Sequence, residues 1–236
     1  MNFFEIYRAI RNIISRQPTI YKFLYKIIKR NNFIVNNKTQ IVIEGFPKSG
    51  NSYLEAYFKV LNKKIIIAHH THSIAQIKLG LKNNIPVIVL IREPLNVTRS
   101  MSASFKQKIG IKFIIKEYIN FYKILQPIKK KIIIIEFKKL KKLKKIILIL
   151  NKKFNLFPNL KKNYNEKKIN LKSLNNLYKL SSNRHGKKFR DVYLNKNLKL
   201  VKNKKLNNKI IKEILSSNDN VRLLKQAKEV YRKFIS

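Results

Sequence analysis

Four short runs rich in Ile and Val, each too short for an average helix, alternate with helix-periodic segments between residues 39 and 154, and this alternation most constrains the fold. Gln40–Glu44, Lys64–Ala68, Pro86–Ile91 and Lys131–Phe137 read as buried strands. Helical patterning covers the stretch up to Lys59, Ser73–Leu81, the residues after Pro94, Ile111–Leu125 and Leu140–Phe154. Strands separated by helices predict an α/β domain in three layers, a central parallel sheet with helices on both faces. A length of 236 residues is read as one such domain over 39–236, preceded by a helical segment over 1–38. Asn155 to Lys204 reads as loop, and a closing helix pair covers Asn208–Phe234.

In the leading segment Phe3, Ile6, Tyr7, Ile10, Ile13 and Ile14 recur at helical spacing with Arg8, Arg11 and Arg16 between them. Pro18 interrupts the pattern and Tyr21–Arg30 resumes it. Two readings stand: amphipathic helices packed on the domain, or a basic, aromatic-bearing face lying on an anionic membrane surface. No apolar run reaches the ~18–20 residues of a membrane span, and the first residues lack a signal-peptide cleavage site. A cytoplasmic protein, either free or peripheral at the inner membrane face, is expected.

Charge narrows the chemistry. Fifty-four Lys and Arg against 11 Asp and Glu leave a formal charge of +43, which favours polyanionic partners. Lys, Asn and Ile are over-used together, the mark of a compositional drift that accounts for most of that total, so only locally placed cations carry weight. The acids narrow it more: Asp191 and Asp219 are the only aspartates and the nine Glu are mostly scattered, which leaves almost nothing from which to build paired-carboxylate glycosidase chemistry or all-oxygen Mg²⁺ and Ca²⁺ cages. With no cysteine, disulfide frameworks, thiolate metal sites and cysteine nucleophiles are excluded.

The first strand runs into Gly45-Phe46-Pro47-Lys48-Ser49-Gly50-Asn51-Ser52. A strand, a glycine-bearing turn and a helix together wrap a phosphate with inward-pointing backbone N–H groups and the positive end of the helix dipole. The spacing matches a nucleotide-triphosphate loop, except that Asn51 stands at the lysine position and Lys48 lies earlier. The third strand ends in Arg92-Glu93-Pro94, and eight residues on, about two helical turns, comes Ser100. That spacing brings a guanidinium and a hydroxyl to one side, where both can donate to a phosphate; alternatively Arg92 pairs with Glu93. Three histidines cluster in His69-His70-Thr71-His72. His70 and His72 on an extended segment are a possible metal pair, with no third ligand apparent nearby.

Phe46-Pro47-Lys48-Ser49-Gly50-Asn51-Ser52 resembles the 5′-phosphosulfate loop of the sulfotransferases that use 3′-phosphoadenosine 5′-phosphosulfate (PAPS), usually [Y/F]-P-K-S-G-[T/N]-[T/S]. The resemblance spans roughly residues 40–190 and implies a P-loop α/β fold. It implies a 5′-phosphate cradle from Lys48, Ser49, Gly50, Asn51 and Ser52, with Lys48 assisting the leaving group. It implies a 3′-phosphate site at Arg92 and Ser100, with Arg99 auxiliary. It implies His72 as catalytic base, His70 being the reserve, although His70 replaces the family's lysine before Thr71-His72. Glu136 resembles the acid ending a late family strand and is read as structural, while Arg184 and Gly186 partly resemble a segment closing over the nucleotide.

The expectation is therefore a PAPS-dependent sulfotransferase acting on a hydroxyl or amine of a carbohydrate or glycolipid acceptor, with no metal. The first alternative is a P-loop kinase of a small metabolite, which would need Mg²⁺ and a lysine at position 51. The second is a basic nucleic-acid-binding protein; no interleaved aromatic–basic platform is present, so no specific nucleic-acid partner is expected.

Overall fold

The computed structural model describes residues 2–27, 33–105, 108–161, 163–185 and 204–236, and of residues 178–185 and 204 the backbone alone. In chain order the elements are α1 (Phe3–Ile14), α2 (Pro18–Ile27), β1 (Ile41–Gly45), α3 (Asn51–Leu61), β2 (Ile67–His69), α4 (Ile74–Lys82), β3 (Val87–Ile91), α5 (Pro94–Ser104), α6 (Ile111–Leu125), β4 (Ile133–Glu136), α7 (Lys144–Phe154), α8 (Glu166–His185), α9 (Lys204–Ser216) and α10 (Asn218–Ile235).

The strands form a parallel sheet in the order β2-β1-β3-β4. Successive side chains alternate between its faces. Ile41, Ile43, Ile88, Leu90 and Ile135 pack under α3 and α7 with Leu54, Phe58 and Ile147. Val42, Val87, Val89 and Ile91 pack under α4, α5 and α6, with α9 and α10 closing over them through Ile214 and Phe234. Both faces are covered, which is why the strands read as nearly unbroken apolar runs. The chain leaves β1 for β2 on one side and returns to β3 on the other. That reversal opens a crevice at the carboxyl ends of β1 and β3, where ligands enter open α/β sheets.

Residues 166–185, expected as loop, form α8. Its Asn- and Lys-rich sequence hides a helix anchored from outside: the Asn165 side chain caps it by accepting the Lys168 N–H at 3.0 Å, and Glu166 accepts the backbone N–H of Lys144 at 2.8 Å. Ile169 packs against the core beneath α3.

The N-terminal helices depart further. α1 turns its polar side inward: Arg8 meets Glu117 of α6 at 2.8 Å, Asn12 bonds the same carboxylate, and Glu5 accepts the Gly110 N–H at 2.9 Å. Its apolar stripe faces out, with Phe3 78%, Tyr7 59%, Ile10 53% and Ile13 63% exposed. On α2, Tyr21 packs with Ala75, while Ile20, Phe23 and Ile27 are exposed. Among the described residues, no helix is long and apolar enough to cross a membrane.

Candidate functional site

The loop after β1 is shaped by two glycines. A Cβ on Gly45 would meet the Leu90 carbonyl at 2.4 Å, so β1 and β3 converge only around a glycine there. Gly50 has φ +103°, and a Cβ on it would meet Leu140 Cδ1 at 2.5 Å. Between them Lys48 is also left-handed, with φ 67°. Ser49 N–H closes the turn onto the Phe46 carbonyl at 3.2 Å, and Asn51 Nδ2 reaches back to the Gly45 carbonyl at 3.2 Å, bracing the loop across its base.

The backbone N–H groups of Lys48, Gly50, Asn51 and Ser52 have no hydrogen-bond acceptor among the described residues. They lie at the N-terminus of α3, where the helix dipole favours negative charge. Not every side chain expected in the cradle faces it. Ser49 is fully buried, with Oγ 3.5 Å from the Tyr122 hydroxyl, and the Asn51 amide is turned into the loop; both brace the cradle. Ser52 Oγ sits 2.6 Å from His70 Nε2.

Arg92 ends β3 and joins this loop directly. Its Nη1 donates to the Lys48 carbonyl at 3.0 Å, its guanidinium lies 4.1 Å from the Phe137 ring centroid, and the Tyr118 hydroxyl holds its carbonyl at 2.8 Å. The buried Arg92 Nε has no hydrogen-bond partner among the described residues. Glu93 does not ion-pair with Arg92; its carboxylate caps α5 by accepting the Asn96 N–H at 2.9 Å. Burial, then the neighbouring Arg99, pulls the Arg92 pKa down, and burial, then Arg92, does the same to Lys48. Clustered cations that lower one another's pKa are a charge arrangement an anion would relieve. Ser100 is buried two turns along α5, its Oγ unbonded among the described residues. Arg184 lies at the end of α8 with its side chain undescribed, and Gly186 lies outside the described residues.

The histidine segment is clamped by a residue the sequence reading passed over. Glu44, fully buried in β1, accepts Thr71 N–H at 3.0 Å, Thr71 Oγ1 at 2.6 Å and His72 N–H at 2.8 Å. These bonds hold His70 and His72 in left-handed conformations, φ 63° and 50°. Burial pushes the Glu44 carboxyl up to about 7 against those three donors. A carboxylate inside an apolar strand was the available signal. His72 Nδ1 lies 2.8 Å from the Gly45 carbonyl and 3.2 Å from Asn51 Nδ2; the shorter contact is to an atom that can only accept, which favours a proton on Nδ1 and leaves Nε2 as the basic nitrogen. Burial, then Arg11, pushes the His72 pKa down to about 3. The ring lines a cleft of about 50 Å³ with Arg8, Arg11, Pro47 and Asn120.

His70 takes a different place, beside Ser52 and Glu55. Ligand atoms of Glu55, His69 and His70 lie within 4.8 Å of one another, with His69 Nε2 3.3 Å and His70 Nδ1 3.7 Å from the carboxylate. This corrects the expectation that no carboxylate stands near the histidines: the fold supplies Glu55 from α3, and His69 rather than His72 completes the set. Two imidazoles and a carboxylate are a donor set able to take a zinc-type ion. Glu136 accepts from Tyr231 at 2.8 Å and from Lys138 and Lys139, joining β4 to α10.

In comparisons with known proteins, no family model, no curated protein and no solved structure matches the chain.

Proposed function

We propose that this protein is a sulfotransferase that moves a sulfuryl group from PAPS to a hydroxyl or amine of an acceptor. The observation that carries the reading is the meeting of three groups on one loop. Arg92 bonds the Lys48 carbonyl, His72 bonds the Gly45 carbonyl, and the N–H groups between them are available to an anion. One cationic loop for the 5′ end of a nucleotide and an adjoining guanidinium for its 3′ phosphate suit a doubly phosphorylated adenosine.

In this reading the N–H groups of residues 48–52 cradle the 5′-phosphate, and Arg92, through Nε, with Ser100 holds the 3′-phosphate. The acceptor oxygen attacks sulfur in line; its proton passes to His72 Nε2 as the new O–S bond forms. The bond from sulfur to the bridging oxygen breaks, and its electron pair leaves on 3′-phosphoadenosine 5′-phosphate (PAP), where Lys48 stabilises the developing charge. A neutral His72 with Nδ1–H fixed is oriented for this transfer.

A thermal-shift comparison of PAP, ATP and Mg-ATP tests the proposal. Stabilisation by PAP without metal supports it, since a ligand that binds only the folded state raises Tm. Stabilisation by Mg-ATP alone would replace it with a kinase. Indifference to all three would remove a nucleotide site.

A further inference from the structure

A surface helix that turns its arginines inward and its large apolar side chains outward is reversed from the usual arrangement. In α1 the polar side lines two connected hollows. One is the narrow cleft at His72; the other is a groove of about 510 Å³ between α1 and α6, and the two share Asn12, Arg16, Glu117 and Asn120. The acids there are engaged, Glu5 by Gly110 and Glu117 by Arg8 and Asn12, and of the lining cations Lys112 is paired with Asp219 at 2.6 Å. Arg11, Arg16 and Lys116 have no ion pair among the described residues, so the hollow carries surplus positive charge.

On the opposite side of α1 are Phe3, Tyr7 and Ile10, with Ile13 at the edge, and on α2 are Ile20, Phe23 and Ile27, all exposed. Exposed Lys22 and Lys26 flank the α2 stripe. Ile13 belongs to both features, exposed on the outer stripe and lining the groove. Apolar side chains beside lysines, on helices too short to span, fit the interface of a bilayer with negative headgroups.

We propose that α1 and α2 lie in the surface of an anionic bilayer and that the α1–α6 groove receives the anionic headgroup of a lipid, with its reacting end directed toward His72. The surface docking stands on the outer stripe alone; the role of the headgroup as sulfate acceptor rests on the sulfotransferase reading. The narrow cleft suits a hydroxyl-bearing tip, and the wider groove suits the rest of a headgroup.

The test is co-sedimentation of the full chain with vesicles of phosphatidylcholine alone and with about one-third phosphatidylglycerol. Roughly tenfold stronger partitioning into the anionic vesicles is expected. The exposed pair Ile10→Ser with Ile13→Ser should lower it by about tenfold without changing Tm, and Arg11→Gln with Lys116→Gln should reduce the preference for anionic lipid. Equal weak binding to both vesicles would overturn the proposal. So would self-association by ultracentrifugation that the serine variant abolishes, because the stripe would then be a contact between copies. If vesicle binding holds but PAP does not stabilise the chain, the sulfotransferase reading fails and the docking surface remains. The converse result removes the docking surface alone.

Discussion

Arg92 Nη1 donates to the Lys48 carbonyl across 3.0 Å, joining the end of β3 to the loop that follows β1. The two positions are 44 residues apart in sequence. The bond brings two basic motifs onto one surface, and the consequences of the proposed function can be tested separately.

Lys48→Ala should lower kcat for sulfate transfer by roughly 10²–10³-fold while changing PAP affinity less, because the proposed function assigns its ammonium to charge that develops in the transition state. Arg92→Ala should weaken PAP binding by roughly ten- to a hundredfold, the loss of a charge-assisted hydrogen bond. Titration calorimetry with PAP and steady-state kinetics separate the two. Equal effects of both changes on both quantities would contradict the division of roles.

The pH profile should lack the usual histidine limb. His72 stays neutral down to about pH 3, well below the ordinary 6.5, so kcat/KM should not fall as pH drops through 6.5 on its account. Arg11, Arg8 and Lys48 are the cations that add to burial in holding its pKa down. A limb near pH 7 would belong to Glu44 and should vanish in Glu44→Gln.

Glu44 also makes a stability prediction whose sign is fixed. Its carboxyl is raised from 4.5 to about 7 in the folded chain, so between those values the folded state holds a proton that the unfolded state releases. Its contribution is greatest below pH 4.5 and declines, on the order of 3 kcal/mol in all, as pH rises through 7. His72, lowered from 6.5 to about 3, acts in the opposite sense, costing stability as pH falls below 6.5. Denaturant unfolding of the parent and Glu44→Gln at pH 5 and 8 isolates the Glu44 part. A parent-minus-variant difference that grew with pH would refute it.

Gly50→Ala should destabilise the chain by about 1–3 kcal/mol, from its left-handed backbone and the added Cβ. That Cβ would meet Leu140 Cδ1 at 2.5 Å. Because Gly50 caps α3 beneath the N–H cradle, PAP affinity should fall with stability; urea midpoints and calorimetry report both.

Much of this site was legible in the chain. Gly45, Lys48 and Gly50 lie in a glycine-bearing turn and Arg92 at a strand-to-helix junction, features encoded within a few neighbouring residues, whereas His72 enters only through the resemblance of Thr71-His72. What escaped was non-local. Ser49 and Asn51 were expected to face a phosphate, yet Tyr122 and the Gly45 carbonyl draw them inward. Glu44 looked like the end of a strand and proved to be the clamp on Thr71 and His72. Glu55, on α3, is not legible as a partner because His69 and His70 arrive from the end of β2.

The amino-acid sequence by itself determined the alternation of strands and helices, the left-handed turn at Gly50 and the cationic loop, since backbone sterics and hydrophobic period act over short spans. Tertiary structure alone decided which side of α1 faces inward. Its amphipathic pattern suits either orientation, and only Glu117, more than a hundred residues away on α6, draws Arg8 and Asn12 toward the domain and leaves the apolar stripe outside. A buried ion pair needs its partner in place, and only the crossover topology of the sheet supplies one.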